Sequence, residues 1–181
     1  MVRSNLERDE MVNLSDYDAA WPAMFESERA RLAEALAPWL EGPVEHVGST
    51  AVPGLMAKPI IDIMAGVLDL EASRPAIDAL VKLDYYYSAY KPEVMHWFCR
   101  PHFSHRTHHL HLVPFESPLW HERLAFRDHL RRHADVADEY SALKRELARR
   151  FRNDREAYTR AKNPFVARVC AQELTLLRRR S

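Results

Sequence analysis

Residues 45–67 read EHVGSTAVPGLMAKPIIDIMAGV, and this stretch decides the fold. A short apolar segment at 44–47 precedes a Gly-Ser-Thr turn at 48–50, and a longer apolar run occupies 60–67. β-Branched residues bounded by Gly and Pro are typical of strands, so we predict two strands joined by a loop. Asp62 interrupts the second strand, where an unpartnered carboxylate would be costly to bury. Asp62 is therefore the first candidate for chemistry.

Hydrophobic spacing predicts the elements on either side. Apolar residues at helical spacing predict a helix from Pro22 to Leu40, and Ser73 is the expected N-cap of a short second helix. Alternating aromatic and polar residues predict further strands at 85–90, 96–100 and 107–113. Beyond them the pattern is helical, with predicted helices over 117–133 and 136–147 and a last one beginning at Asn163.

This order of elements predicts an α+β fold, with a small mixed β-sheet flanked by helices and a helical carboxy-terminal third. No repeat or linker divides the chain, so we expect a single domain over 1–181. Residues 1–11 show no periodicity and are compatible with a disordered tail. They also lack the apolar core of a secretory signal, and no apolar run approaches the roughly 18 residues of a membrane span. We therefore expect a cytoplasmic protein with no membrane partner.

Charge is unevenly distributed along the chain, although the formal net charge is zero. From Glu122 onward there are 16 Lys or Arg against 9 Asp or Glu, which leaves 10 basic and 17 acidic residues before it. The basic helices could face an anionic ligand or the acidic half, although solvated helical faces are the commoner reason for such charges. Nucleic-acid binding receives little support, because acids are interspersed with the bases and no recognition motif is present.

The turn at Gly48, Ser49 and Thr50 is a candidate phosphate cradle together with Lys58. Glycine allows close backbone approach, N–H groups and hydroxyls can hold phosphate oxygens, and lysine supplies a compensating charge. An ordinary turn is the competing interpretation of these residues. The spacing differs from that of a Walker motif.

Asp62, His109 and His111 form a second candidate group, which could hold one divalent metal. Strand alternation places the two histidines on one face, and Asp62 lies in a potential neighbouring strand. The donor set is compatible with Mg, Mn or Zn, and imidazoles favour a transition metal. The alternative is that Asp62 merely accepts hydrogen bonds from half-exposed histidines. Cys99 and Cys170 have no metal-binding or redox spacing and are interpreted as buried thiols.

Three basic residues of the helical third, Arg127, Lys144 and Lys162, are candidate contacts for an anionic ligand, with surface salt bridges as the alternative. The sequence contains no GxSxG, HExxH or GxGxxG motif. Serine hydrolase, zincin and dinucleotide-binding functions therefore lack their usual signatures.

From Tyr17 to Ala171 the chain resembles the GrpB family. The matching segments are YDAAWPAMFESE, EHVGSTAVPGLMAKPIIDI, HHLHLVPF, FRDHLRRH, LKRELA and YTRAKNPFV. That family is similar to the nucleotidyltransferase superfamily, in which a Gly-Ser turn precedes a strand carrying Asp-x-Asp or Asp-x-Glu. The resemblance implies that Gly48 and Ser49 contact phosphate and that Asp62 is the first metal-binding carboxylate.

The second carboxylate position of that pattern falls on Met64. Two-metal catalysis needs paired carboxylates, so this chain lacks one of the metal ligands that the superfamily pattern requires. We therefore expect metal-dependent transfer or binding of a nucleotide or another phosphate-bearing small molecule. The alternatives are a non-catalytic nucleotide-binding or anion-binding module, and a single-metal hydrolase or cyclase on the same fold.

Overall fold

We analysed the protein in a computed structural model, which describes residues 11–178. The predicted tail therefore lies outside the described residues except for Met11. The helices are Trp21–Leu36 (α1), Ala76–Val81 (α2), Pro118–Arg132 (α3), Ala134–Arg150 (α4), Arg155–Ala161 (α5) and Asn163–Arg178 (α6). The strands are Leu40–Val47 (β1), Ile61–Val67 (β2), Tyr86–Ser88 (β3), His96–His102 (β4) and His105–Pro114 (β5).

The five strands form one mixed sheet in the order β1-β2-β5-β4-β3. β2 and β5 run parallel at its centre, and all other neighbours are antiparallel. The parallel register pairs Asp62 with His109 and Met64 with His111. The predicted α+β fold with a helical carboxy-terminal third is therefore confirmed.

The two faces of the sheet are covered differently. Helices α1 and α2 pack on one face, where Ile61, Ile63 and Leu110 belong to the largest apolar cluster. On the opposite face Met64 packs with Val47, Val113 and Trp120, which is the third residue of α3. The part of this second face that carries Asp62 and the histidines faces the cleft described below.

The helical third packs on itself and on the loop after the Gly-Ser-Thr turn. Phe126, Tyr140 and Phe165, from α3, α4 and α6, share a cluster with Val52 and Leu55 of that loop. The loop is thereby fixed against the helices rather than free in solvent, which holds the turn at the edge of the sheet.

Three local predictions were wrong. The first helix ends at Leu36 rather than Leu40, because Pro38 cannot continue a helix and Leu40 already opens β1. Ser73 does not cap α2, since its hydroxyl donates to the carbonyl of Leu70 and the helix begins at Ala76. Helix α5 was not predicted as a separate element, although Asp154 caps it through the N–H of Ala157.

Both cysteines are buried, as the sequence indicated. Within residues 11–178, no helix is sufficiently long and apolar to cross a membrane.

Candidate functional site

A cleft of about 620 Å³ lies between the sheet and the helical third. Its floor carries Asp62, His109 and His111, so the structure brings the three predicted residues together. Six basic side chains line it against the two acidic ones, Asp62 and Glu156. The basic ones are Lys58, Arg106, Arg123, Lys144, Arg155 and Lys162.

Gly48 lies directly against Asp62. Its φ of +72° is a conformation that favours glycine, and a Cβ built at this position would lie 2.5 Å from Asp62 Oδ2. The glycine of the predicted cradle therefore leaves room for the carboxylate of Asp62.

Gly48→Ala is expected to lower the free energy of unfolding by about 2–3 kcal/mol, because it adds a steric clash to left-handed backbone strain. Gly54→Ala is the matched control. Gly54 also has a positive φ, +77°, but a Cβ built on it would have no atom within 4 Å. Gly54→Ala should therefore lower the free energy of unfolding by only about 1–2 kcal/mol. Urea unfolding measures both, and equal losses would contradict the close packing of Gly48 on Asp62.

Asp62 and His109 form a hydrogen-bonded pair across the two parallel strands. His109 Nδ1 lies 2.9 Å from Asp62 Oδ1. Burial alone would raise the pKa of Asp62, but the hydrogen bond and charge of His109, with further charges nearby, hold this pKa below its usual value. Burial lowers the pKa of His109 despite the opposing effect of Asp62. The pair is thus an ionised carboxylate beside a neutral imidazole at neutral pH.

His111 faces the same cleft but has a different partner. Its Nδ1 lies 3.3 Å from Met95 Sδ, and burial holds the pKa of His111 well below its usual value. Among the described residues, the Nε2 atoms of both His109 and His111 are buried without a hydrogen-bond partner. Buried polar atoms of this kind call for a physical explanation.

The predicted metal trio does not fit this arrangement. Asp62 and His109 form a hydrogen bond with each other, whereas two ligands of one metal ion would both point at the ion. The imidazole centroids of His109 and His111 are 6.5 Å apart. Two imidazoles on one tetrahedral ion, with metal–nitrogen distances of about 2.0–2.1 Å, would place their centroids about 5 Å apart. No group of three His, Cys, Asp or Glu side chains within 11–178 could hold a metal ion. A divalent cofactor stays a prediction of the sequence.

Lys58 and Lys162 lie close to the ring of Tyr158. Their Nζ atoms are 5.5 and 4.4 Å from its centroid. Burial, together with neighbouring positive charge, lowers the pKa of Lys58 to about 7 and that of Lys162 to about 8. Part of the positive charge of this cleft is therefore removable near neutral pH.

Lys144 connects helix α4 to the loop around the turn. Its ammonium donates to Ser49 Oγ at 3.2 Å and to the carbonyl of Met56. Burial and the nearby Lys162 lower the pKa of Lys144 to about 7. Ser49 and Lys144 both line the cleft, but Lys144 also has a structural function in fixing the loop.

The hydroxyl of Thr50 is already used inside the protein. It donates to the carbonyl of Ile60 at 3.1 Å and therefore accepts from His46 Nε2 at 3.0 Å. Only 1% of Thr50 is exposed. Its side chain thus stabilises the loop. Thr50 also lines the cleft, and its contact with phosphate stays a prediction.

Arg127 does not line the cleft, in contrast to the prediction. Its guanidinium donates to the carboxylates of Glu45 and Asp128 and to the carbonyl of His46, which anchors α3 to β1. Arg123, one helical turn earlier, occupies the place in the cleft that was predicted for Arg127. Residues four apart in a helix lie near each other but do not point in the same direction. The sequence alone did not tell whether Arg123 or Arg127 faces the cleft.

An aromatic wall closes one side of the cleft and was not predicted as part of the site. It consists of Tyr90, Trp97 and Phe103, with Trp97 and Phe103 stacked at 6.4 Å between centroids. The guanidinium of Arg106 lies 5.5 Å from the ring of Trp97. The aromatic alternation of β4 was the available signal, but it was interpreted only as strand pattern.

Comparison with known proteins shows the family to which this chain belongs. A family model described as GrpB protein matches residues 11–172. A UPF0157 protein of Pseudomonas aeruginosa is 41% identical over 94% of this chain and 71% of its own length. The glutamate-rich protein GrpB of Alkalihalophilus pseudofirmus is 32% identical over 87% of this chain and 93% of its own length.

A solved structure resembles the fold over nearly the whole described chain. It is the crystal structure of the protein GrpB from Enterococcus faecalis, with a TM-score of 0.82 and 29% identity. The match covers 91% of this chain and 99% of that one.

Proposed function

Because this chain belongs to the GrpB family and the cleft between its sheet and its helical third is lined mainly by basic charges, we propose that it binds a nucleotide or another phosphate-bearing small molecule there. The observation that carries the proposal is the excess of six basic over two acidic side chains around a single opening. A volume of about 620 Å³ lies within the usual range for small-molecule sites, roughly 300–1,000 Å³.

The lowered lysine pKa values support an anionic occupant. Lys58 and Lys162 are partly desolvated beside other cations, and both effects make their charged forms unfavourable. A phosphate group would supply the missing negative charge and hydrogen-bond acceptors. The cleft is therefore better suited to a ligand with several negative charges than to a neutral one.

The aromatic wall favours a nucleotide over inorganic phosphate. Tyr90, Trp97 and Phe103 offer apolar ring surface to the same cleft that Lys162 of the helical third lines. A planar base can stack on such surface while the phosphates contact the lysines.

Binding is favoured over two other candidate functions. These are metal-dependent nucleotidyl transfer and the activity of a single-metal hydrolase or cyclase. Met64 occupies the position of the second carboxylate and is fully buried beside Val47 and Trp120. A carboxylate could not replace it there without desolvation, so the second acid of the superfamily pattern has no room to function.

The proposal predicts that ATP binds this protein and that Lys162→Met weakens the binding about tenfold or more, since a charge-assisted contact contributes about 1.5–3 kcal/mol. Methionine preserves the packing of an unbranched chain on Tyr158 while removing the charge. Isothermal titration calorimetry at neutral pH measures both dissociation constants.

Lys82→Met and adenosine are the controls. Lys82 is exposed at the end of α2, away from the cleft, so its loss should change the ATP affinity less than twofold. Adenosine lacks phosphate and should bind far more weakly than ATP. The proposal fails if ATP does not bind, if adenosine binds equally well, or if both lysine variants weaken ATP binding alike.

A further inference from the structure

The two histidines of the cleft are held in a defined protonation state by their partners. An ionised carboxylate can only accept a hydrogen bond, so Asp62 requires the proton of His109 to be on Nδ1. A thioether sulfur is likewise only an acceptor, so Met95 requires the proton of His111 to be on Nδ1. In both neutral rings the lone pair is therefore on Nε2.

Neither lone pair accepts a hydrogen bond from the described part of the chain. Both Nε2 atoms are buried without a partner among the described residues, although both side chains line the opening. Surrounding cations cannot satisfy an acceptor unless they are within hydrogen-bond distance, and a phosphate oxygen has no proton to donate at neutral pH. The lone pairs are matched by a ligand group that carries a hydrogen, such as a hydroxyl or a water.

The geometry points to His109 as the general base of a metal-independent reaction at this site, in which its Nε2 takes the proton of a hydroxyl that attacks a phosphoanhydride of the bound ligand. This inference rests on the proposed binding of a phosphate-bearing molecule. Asp62 is a positioning residue in it, because it fixes the Nδ1 proton and stabilises the imidazolium that forms. His111 has no carboxylate partner and serves only as an acceptor for the ligand.

The step is balanced without another reactant. The O–H bond of a water or alcohol breaks, its proton goes to Nε2, and the oxygen forms a bond to phosphorus. The bridging P–O bond breaks, and its electron pair leaves with the departing phosphate, whose charge the lysines neutralise. The imidazolium then returns its proton to the departing phosphate or to water. Lys58 and Lys162 hold the anionic ligand throughout.

His109→Asn tests the inference, with His121→Asn as the matched control, because His121 is half exposed on α3 and does not line the cleft. Asparagine keeps a donor near the place of Nδ1 and removes Nε2, so the contact with Asp62 can persist. With ATP as the probe, in the presence and absence of magnesium chloride, His109→Asn should reduce phosphate release about 100-fold or more. The dissociation constant of His109→Asn for ATP should stay within about threefold of the wild type, and His121→Asn should keep its turnover within about threefold.

Asp62→Asn distinguishes positioning from a structural contribution. Removal of a negative charge from a basic cleft should tighten ATP binding, whereas loss of the fixed tautomer should slow phosphate release. A merely structural change would weaken both. Thermal unfolding of each variant confirms that it is folded.

Nitrogen-15 NMR of the imidazoles gives a readout that needs no substrate. At neutral pH, His109 is expected to show a protonated Nδ1 and an unprotonated Nε2. A protonated Nε2, equal turnover by His109→Asn, or a wild type that binds ATP without cleaving it would each overturn the inference. Absence of ATP binding would instead refute the proposed function. The NMR result would then still show which nitrogen of His109 carries the proton, and a proton on Nε2 would overturn the inference.

Discussion

Glu28→Ala is expected to lower the free energy of unfolding by about 3–5 kcal/mol, because it leaves a buried ionic network without its carboxylate. Glu28 lies on α1, against the face of the sheet that is remote from the cleft, and its side chain is only 6% exposed. It accepts hydrogen bonds from Tyr85 at 2.9 Å, Arg100 at 2.7 Å and Arg31 at 3.0 Å. Burial alone would raise the pKa of Glu28, but the hydrogen bond and charge of Arg100 outweigh it and lower this pKa.

Glu26→Ala on the same helix is the control for this variant. Glu26 pairs with Arg29 at 2.7 Å, but both side chains are about half exposed. Exposed pairs of this spacing contribute about 0.3–0.5 kcal/mol. Urea unfolding at neutral pH measures both variants, and comparable losses would contradict the assignment of Glu28 as the central acceptor of the network.

The affinity for ATP is expected to fall about 100-fold between about pH 6.5 and about pH 8.5. In the free protein the pKa of Lys58 is about 7 and that of Lys162 about 8, so both lose their protons across this interval. An anion binds the charged forms, and binding above these pKa values must therefore take protons up. The phosphates lose their last proton near about pH 6, so the ligand charge changes little over most of the range. Calorimetric titrations at constant ionic strength measure the profile.

Lys58→Arg is the control for the pH profile. A guanidinium stays charged at all these pH values, so the variant should retain binding at neutral pH and show a clearly shallower decline. A decline as steep as that of the wild type would show that Lys58 is not among the groups that take up protons.

The sequence predicted the sheet better than the boundaries of its helices. Strand alternation placed His109 and His111 on one face correctly, because the period of two leaves only that choice within β5. That Asp62 shares this face depends on the register between β2 and β5, which the sequence did not give. Helix α1 was extended through Pro38, where an apolar stripe was given more weight than a residue that cannot continue a helix.

Side-chain partners could not be predicted from the sequence. Arg127 and Thr50 have the residue types of phosphate contacts, yet both are used to join internal elements. Which of Arg123 and Arg127 faces the cleft depends on the rotation of α3 about its axis, and packing of Trp120 on the sheet sets that rotation. The sequence left two arrangements of Asp62 and the histidines open, a shared metal and a hydrogen-bonded pair, and the structure shows the hydrogen bond between Asp62 and His109.

The most direct test of phosphate binding in the cleft is calorimetric titration of ATP at about pH 8, in two buffers with different ionisation enthalpies. The difference between the two heats gives the number of protons taken up. We expect about one to two protons per ATP, because Lys58 and Lys162 are largely or half deprotonated in the free protein at this pH. Absence of ATP binding would contradict the account. It would also be contradicted if ATP bound without taking up protons and if Lys58→Met left the affinity unchanged.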